Sequence, residues 1–216
     1  SALSKQHGLG TLSIDYQVLC DLQDVVRRGD WKVTVSVWMD KEVIKVEPGF
    51  VEKGYGLAVD VGTTTIAGYL CDLTNGQIVA TASMMNPQVV FGEDVMSRIS
   101  YAMSNPDGLK YMNEAIVDGL NGLISESAAQ AGIKGQDIFD MTIVGNTCMH
   151  HIFLNLDPQF IGRAPFPPGL HHSLDIKARD FGLRIPPEAE TDKGIYPPCQ
   201  VACPAHVNGQ DFLYLT

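Results

Sequence analysis

The sequence is short of positive charge: 15 Lys and Arg stand against 25 Asp and Glu in 216 residues, a formal net charge of -10. Such a chain offers no electrostatic footprint for a nucleic-acid backbone or an anionic membrane surface, so any anionic ligand must be held by local geometry. It also lacks an apolar run approaching the roughly 18 to 20 residues of a membrane span. Its start, Ser1 to Lys5, has neither a Met nor the charged-then-apolar order of a secretory signal and reads as a cut edge. Neither Gly-x4-Gly-Lys-Ser/Thr nor Gly-x-Gly-x-x-Gly occurs, which removes P-loop and Rossmann sites from consideration. Internal repeats and low-complexity tracts are missing too. What is present is an ordinary globular balance, 45% hydrophobic and 19% charged, enough for one domain or two small ones. The odd set of cysteines at 20, 71, 148, 199 and 203 fits a reducing, cytoplasmic setting better than a disulfide framework. Cys20, Cys71 and Cys148 read as small buried hydrophobes.

Residues 1–52 read as a small α/β unit. Ser13 predicts the cap of a helix whose apolar positions Ile14, Val18, Leu22 and Val25 recur at three- and four-residue steps, with Arg27 and Arg28 in its last turn and Gly29 beyond it. Trp31, Val33, Val35 and Val37 alternate with polar residues, as on a strand with one apolar face. Glu42 to Val46 predicts another strand, ending at the turn pair Pro48-Gly49.

A second unit spans residues 53–160. Gly56 to Val61 is a nearly continuous apolar run that carries Asp60 near its end, as a central strand buried on both faces would. Thr63 to Leu70 and Gln77 to Met84 follow as strands joined through Asn75-Gly76, giving an antiparallel meander. A helix is expected from Gly92, and a longer one from about Leu109 to Ala131, where Ile116, Leu120, Leu123 and Ile124 keep helical spacing. Within it, Gly119 and Gly122 either weaken the helix or permit close packing. Met141 to Val144 is a short buried strand, Gly145-Asn146-Thr147 a turn, and Cys148 to Leu154 a short helix. The order β-β-β-α-α-β-α is that of a ribonuclease-H-like half domain of the α/β class. Residues 161–216 form a proline-rich extension, expected to be irregular loops with a helical turn around Asp175 to Phe181, because Pro165, Pro167, Pro168, Pro186, Pro187, Pro197 and Pro198 exclude long helices and central strands.

The sharpest chemical signal is Asp60-Val61-Gly62-Thr63-Thr64-Thr65 at a strand-turn-strand junction. Phosphate needs donors and close backbone approach; Gly62 has no Cβ, the turn amides can point at phosphate oxygens, and the three Thr hydroxyls add more. Asp60 would hold Mg²⁺ directly or through water. The competing reading is an ordinary hairpin with a turn-capping Asp. Gly145-Asn146-Thr147 follows a buried strand and so lies at a sheet edge where α/β proteins bind ligands. Asp94 and Arg98, at i and i+4, read either as a surface ion pair or with Asp94 or Glu93 orienting Mg²⁺ or an attacking water. Asn86 reads as a turn residue before Pro87. Adjacent His150-His151 would diverge by about 100° on a helix with no third ligand at standard spacing, so they read as packing or polar contacts, as do His171-His172.

In order, Gly56 to Thr65, Asn86-Pro87-Gln88, Gly92 to Val95, Ser97-Arg98-Ile99, Val144 to Thr147 and Met149-His150-His151 resemble the ATP-dependent reductive activators of corrinoid iron-sulfur proteins. The resemblance covers roughly residues 15 to 190. Asp60 to Thr65 is similar to the first phosphate loop of the wider acetate/sugar kinase, heat-shock ATPase and actin superfamily, and the unit before Tyr55 resembles the activators' middle or linker domain. The family implies ATP and Mg²⁺ as ligands, with Gly62, Thr63, Thr64, Thr65, Gly145, Asn146 and Thr147 at the phosphates and Asp60, Glu93 and Asp94 in catalytic roles. It implies a 2Fe-2S cluster in a preceding domain, a corrinoid protein whose Co(II) is reduced by one electron, an electron-donating redox protein and a homodimer. Nucleic acid and membrane are not among the implied partners.

The resemblance also implies a second half domain with its own phosphate loop, for which this sequence has no counterpart, so poor ATP hydrolysis is expected of the chain alone. Instead Pro198-Cys199-Gln200-Val201-Ala202-Cys203-Pro204-Ala205-His206 is similar to the end of a ferredoxin-like 4Fe-4S ligand run, and two Cys do not complete a four-thiolate cluster. Two other functions share these features: a small-molecule kinase of the same superfamily, and a non-catalytic docking module for a redox partner.

Overall fold

The computed structural model describes residue 8, residues 10–170 and 172–185, and the backbone of residues 205–208. Cys199 and Cys203, and the cluster expectation attached to them, lie outside the described residues, as does His171.

The first unit is a helix on a three-stranded sheet. Helix α1 (Tyr16–Arg28) ends at Gly29 with Arg27 and Arg28 in its last turn, as expected, and buries Val18 and Val25. Its cap is Asp15, however, and Ser13–Ile14 form a short strand, β1. Ile14 therefore lies outside the helix, because its backbone pairs in parallel with Val43 of β3 (Glu42–Pro48). Strand β2 (Val33–Trp38) runs antiparallel to β3, with the register shifting between Ser36 and Val37. That irregularity breaks the predicted alternation, and every residue of β2 is half-buried. Trp31 precedes the strand in the left-handed region (φ 65°) and is exposed, so it is not part of the apolar face.

The second unit is built on a five-stranded sheet in the order β6 (Gln77–Met85), β5 (Thr65–Asp72), β4 (Tyr55–Val61), β7 (Ile138–Gly145), β8 (Ala205–Asn208). Central β4 pairs antiparallel with β5, which pairs antiparallel with β6. On its other side β4 pairs in parallel with β7. The apolar run read from the sequence is the strand buried at the centre: Leu57, Val59 and Val61 are all inaccessible. Helix α2 (Val95–Ser104) packs on α3 (Gly108–Ala131), and α3 covers β5 and β6, burying Met112, Ile116, Leu120, Leu123 and Ile124. At Gly119 a Cβ would lie 3.1 Å from Pro87, so this glycine permits the close packing, whereas Gly122 faces open space. Helix α4 (Thr147–Phe153) follows β7. The chain is thus mixed α/β, and its β-β-β-α-α-β-α order is the one expected.

The C-terminal segment differs in one respect. A 3-10 turn at Ala178–Phe181 matches the expected helical turn, but Ala205–Asn208 form β8, an edge strand parallel to β7. The four residues carry no proline, and β7 offers them an open row of backbone donors and acceptors. Among the described residues, no helix is long and apolar enough to cross a membrane.

Candidate functional site

The loop between β4 and β5 is shaped by what its carbonyls bind. The side-chain amide of Asn86 donates to the Gly62 carbonyl at 2.7 Å, the Arg98 guanidinium donates to the Thr63 carbonyl, and the Asn86 backbone N–H donates to the Thr64 carbonyl at 2.8 Å. Three consecutive carbonyls thus point into the protein. In a trans peptide the N–H points away from the carbonyl of the same unit, so the amides of Thr63 and Thr64 are turned outward. A Cβ on Gly62 would lie 2.5 Å from the Thr65 carbonyl oxygen, so only glycine fits the tight bend.

Strand pairing brings the rest of the site to the same edge. Asp60, exposed at the C-terminal end of β4, pairs with Val144, and Val61 pairs with Gly145. Gly145 is required by this approach, since a Cβ there would lie 2.9 Å from the Val61 carbonyl oxygen. Asn146 caps α4, accepting the Met149 N–H at 3.0 Å, and donates from its amide to the Thr63 hydroxyl at 3.2 Å. Asp60, Gly62, Thr63, Thr64, Thr65, Gly145, Asn146 and Thr147 therefore share one sheet edge. The geometry fits an oxyanion with Mg²⁺: an outward-turned amide pair, hydroxyls and one free-standing carboxylate. Mg²⁺ commonly takes one or two protein carboxylates and completes its shell with phosphate and water oxygens. Among the described residues no three His, Cys, Asp or Glu side chains converge as an all-protein metal cage.

Asp94 and Glu93 stand differently. The Asp94 carboxylate accepts the Ser97 N–H at 2.7 Å while Ser97 Oγ accepts the Asp94 N–H, a reciprocal capping box at the start of α2. Hydrogen bonds from the Ser97 backbone and side chain hold this carboxyl below its usual range. Glu93 is exposed beside it. Arg98 is not the surface partner of Asp94: it is fully buried and turns toward the loop. Asn86 is a turn residue in that it caps the 3-10 turn Pro87–Phe91, accepting the Gln88 N–H at 2.9 Å, yet it is also fully buried and grips the loop. Both roles escaped the sequence because the acceptors lie 24 and 35 positions earlier in the chain. The available signal was that Asn86 and Arg98 lie in two of the short segments that carry the family resemblance.

His150 and His151 are buried in α4. His151 Nδ1 lies 2.7 Å from the Thr147 carbonyl and Nε2 accepts the Gly169 N–H at 2.8 Å, which fixes the Nδ1–H tautomer and uses both nitrogens. His150 is buried with Nε2 unpartnered, and burial, with the nearby His151 adding to it, lowers its pKa to about 4. His172 is exposed on its loop. Cys71 and Cys148 are buried as expected, but Cys20 is exposed, on the outer face of α1.

Fold and loop define a mixed α/β protein with a Gly-Thr loop and a carboxylate at the C-terminal edge of its central strand. The chain belongs to the reductive activators of corrinoid proteins: residues 55–197 match the family described as the RACo middle region and residues 1–53 the RACo linker region. The term middle therefore applies to the unit with the five-stranded sheet, and the unit before Tyr55 is the linker. The match also extends beyond residues 15 to 190 at both ends. The corrinoid activation enzyme RamQ of Eubacterium limosum is 40% identical over 134 residues, 62% of this chain and 23% of that protein. A solved structure of a reductive activator for corrinoid, iron-sulfur protein matches with a TM-score of 0.74 and 29% identity, over 95% of this chain and 31% of that one. The chain thus spans less than a third of the length of either relative.

Proposed function

We propose that this chain is the phosphate-binding part of a reductive activator that uses ATP to drive one-electron reduction of Co(II) in a corrinoid methyl-transfer protein. In this reading residues 53–160 are a ribonuclease-H-like, actin-type half domain, residues 1–52 its linker unit and residues 161–216 an extension. Gly62, Thr63, Thr64 and Thr65 bind the phosphates of ATP, Asp60 holds Mg²⁺ directly or through water, and Gly145, Asn146 and Thr147 line the far side. The observation that carries this reading is the row of inward-held carbonyls at Gly62, Thr63 and Thr64, which turns loop amides away from Asn86 and Arg98 beside the strand end that carries Asp60. Asp94 is assigned to shaping the entrance through its cap, with Glu93 beside it as the acid able to orient water. A corrinoid protein as partner is inferred from the names of the relatives, and the electron-donating redox protein, the 2Fe-2S cluster of a preceding domain and a homodimer from the resemblance.

Phosphoryl transfer asks a protein mostly for positioning and charge neutralisation. A loop whose amides are fixed before the ligand arrives meets that demand without reorganisation at the moment of reaction. Calorimetric titration with Mg-ATP checks the assignment: Asp60→Ala is expected to weaken binding about tenfold or more, the scale of one lost charge-assisted contact. Equal affinity in the two proteins would remove Asp60 from the site.

A further inference from the structure

Arg98 is a buried charge with no carboxylate among its direct partners. Its side chain is fully buried, and every partner is neutral: the Gly92 carbonyl from Nε at 2.9 Å, the Gln88 side-chain oxygen at 3.2 Å and the Met149 sulfur at 3.0 Å from Nη1, and the Thr63 carbonyl from Nη2. Among the described ion pairs none includes Arg98. The acid one turn earlier, Asp94, is exposed, spends its hydrogen bonds on Ser97 and acts on the guanidinium only through space. Cys148, close enough to feel the guanidinium, brings no negative charge, because burial pushes its thiol up to about 11. Burying an ion without an opposite charge is costly, and apolar residues of similar volume often serve stability better. A guanidinium kept in such a place, directly behind the Thr63 carbonyl, has a use outside stability.

We propose that Arg98 is the positioning residue and buried counter-charge for a polyphosphate bound at the Gly62 to Thr65 loop. This rests on the assignment of that loop to phosphate. Two effects combine. Pulling the Thr63 carbonyl inward fixes the Thr64 N–H outward, and the positive charge, offset only through space by the exposed Asp94, acts on the loop through a low-dielectric interior that screens it weakly. In a chain of net charge -10, this internal cation supplies what the surface does not. Its contribution grows with the charge of the ligand, so it favours pyrophosphate and triphosphate chains over orthophosphate.

The test is a titration of the isotope-labelled chain with magnesium pyrophosphate and with orthophosphate, read on the backbone amide signals of Thr63 and Thr64 and on the Nε–H signal of Arg98. Wild type is expected to bind pyrophosphate with all three signals moving at one midpoint. Arg98→Met is expected to lose about tenfold or more in pyrophosphate affinity and less in orthophosphate affinity, whereas Met149→Leu, which removes only a neutral acceptor, changes either by about threefold or less. A purely structural Arg98 would lower both affinities by the same factor, and that result overturns the proposal. Unchanged pyrophosphate binding in Arg98→Met, or an Arg98 signal that stays still in wild type whatever the variant does, also overturns it while leaving the phosphate assignment intact. Failure of wild type to bind either anion overturns both.

Discussion

Asp15 and Arg179 meet across 164 positions of sequence in two side-by-side contacts, Nη1 to Oδ1 at 3.0 Å and Nη2 to Oδ2 at 2.6 Å. Lys177 donates to the same carboxylate and bridges to Glu42 at 2.8 Å. The Asp15 side chain is fully enclosed while it also caps α1 through the Gln17 N–H. One carboxylate thus ties the linker unit to the later part of the middle region.

This clasp sets an acid limit. Burial by itself would raise the Asp15 pKa, but the hydrogen bonds from Arg179, Lys177 and the Gln17 amide outweigh it and bring it to about 2. With the folded value below the unfolded one, the carboxylate's contribution is present above about pH 4 and is lost as pH falls through about 2. Asp15→Asn is expected to cost on the order of 2 kcal/mol at neutral pH and to flatten the stability profile between pH 4 and pH 2, as measured by urea denaturation.

His150 acts in a separate window. Its folded pKa of about 4 lies below the ordinary 6.5, so the unfolded chain takes up a proton first. Stability is full above about pH 6.5 and falls by on the order of 3 kcal/mol as pH drops to about 4. His150→Leu removes the unpartnered buried Nε2 and is expected to abolish this step, with little change or a gain in stability at pH 7.5. A pH series of thermal melts on both proteins measures the difference.

Glycines give a paired test of the loop. Gly62→Ala places a Cβ against the Thr65 carbonyl oxygen and is expected to destabilise by about 1 to 3 kcal/mol and to weaken Mg-ATP binding together. Gly122→Ala, in open space on the exposed face of α3, is expected to stabilise by about 0.5 to 1 kcal/mol with ATP binding unchanged. Denaturation and calorimetry on the two variants separate backbone strain at the loop from a general effect of adding a methyl.

Periodicity alone marked most of the elements, because it reports on which face of a strand or helix meets water. The buried run of β4, the meander turning at Asn75-Gly76 and the α3 stripe of Ile116, Leu120, Leu123 and Ile124 were legible for that reason. The Asp60 to Thr65 loop was legible because glycine and carboxylate sit at a strand end, where backbone is free to bind. Periodicity failed at Ser13 and Trp31, where pairing with β3 and a left-handed backbone overrode it.

By itself, then, the sequence determined the mixed α/β order and the chemistry of one loop, both local properties of residue type and spacing. Only tertiary structure decided how that loop is held. Asn86 and Arg98 look like a turn residue and half of a surface pair until folding brings them to carbonyls 24 and 35 positions away. Asp15, Lys177 and Arg179 look like unrelated surface charges until the chain returns to its own start. A buried polar side chain must find partners, and which partners it finds is fixed by the path of the whole backbone.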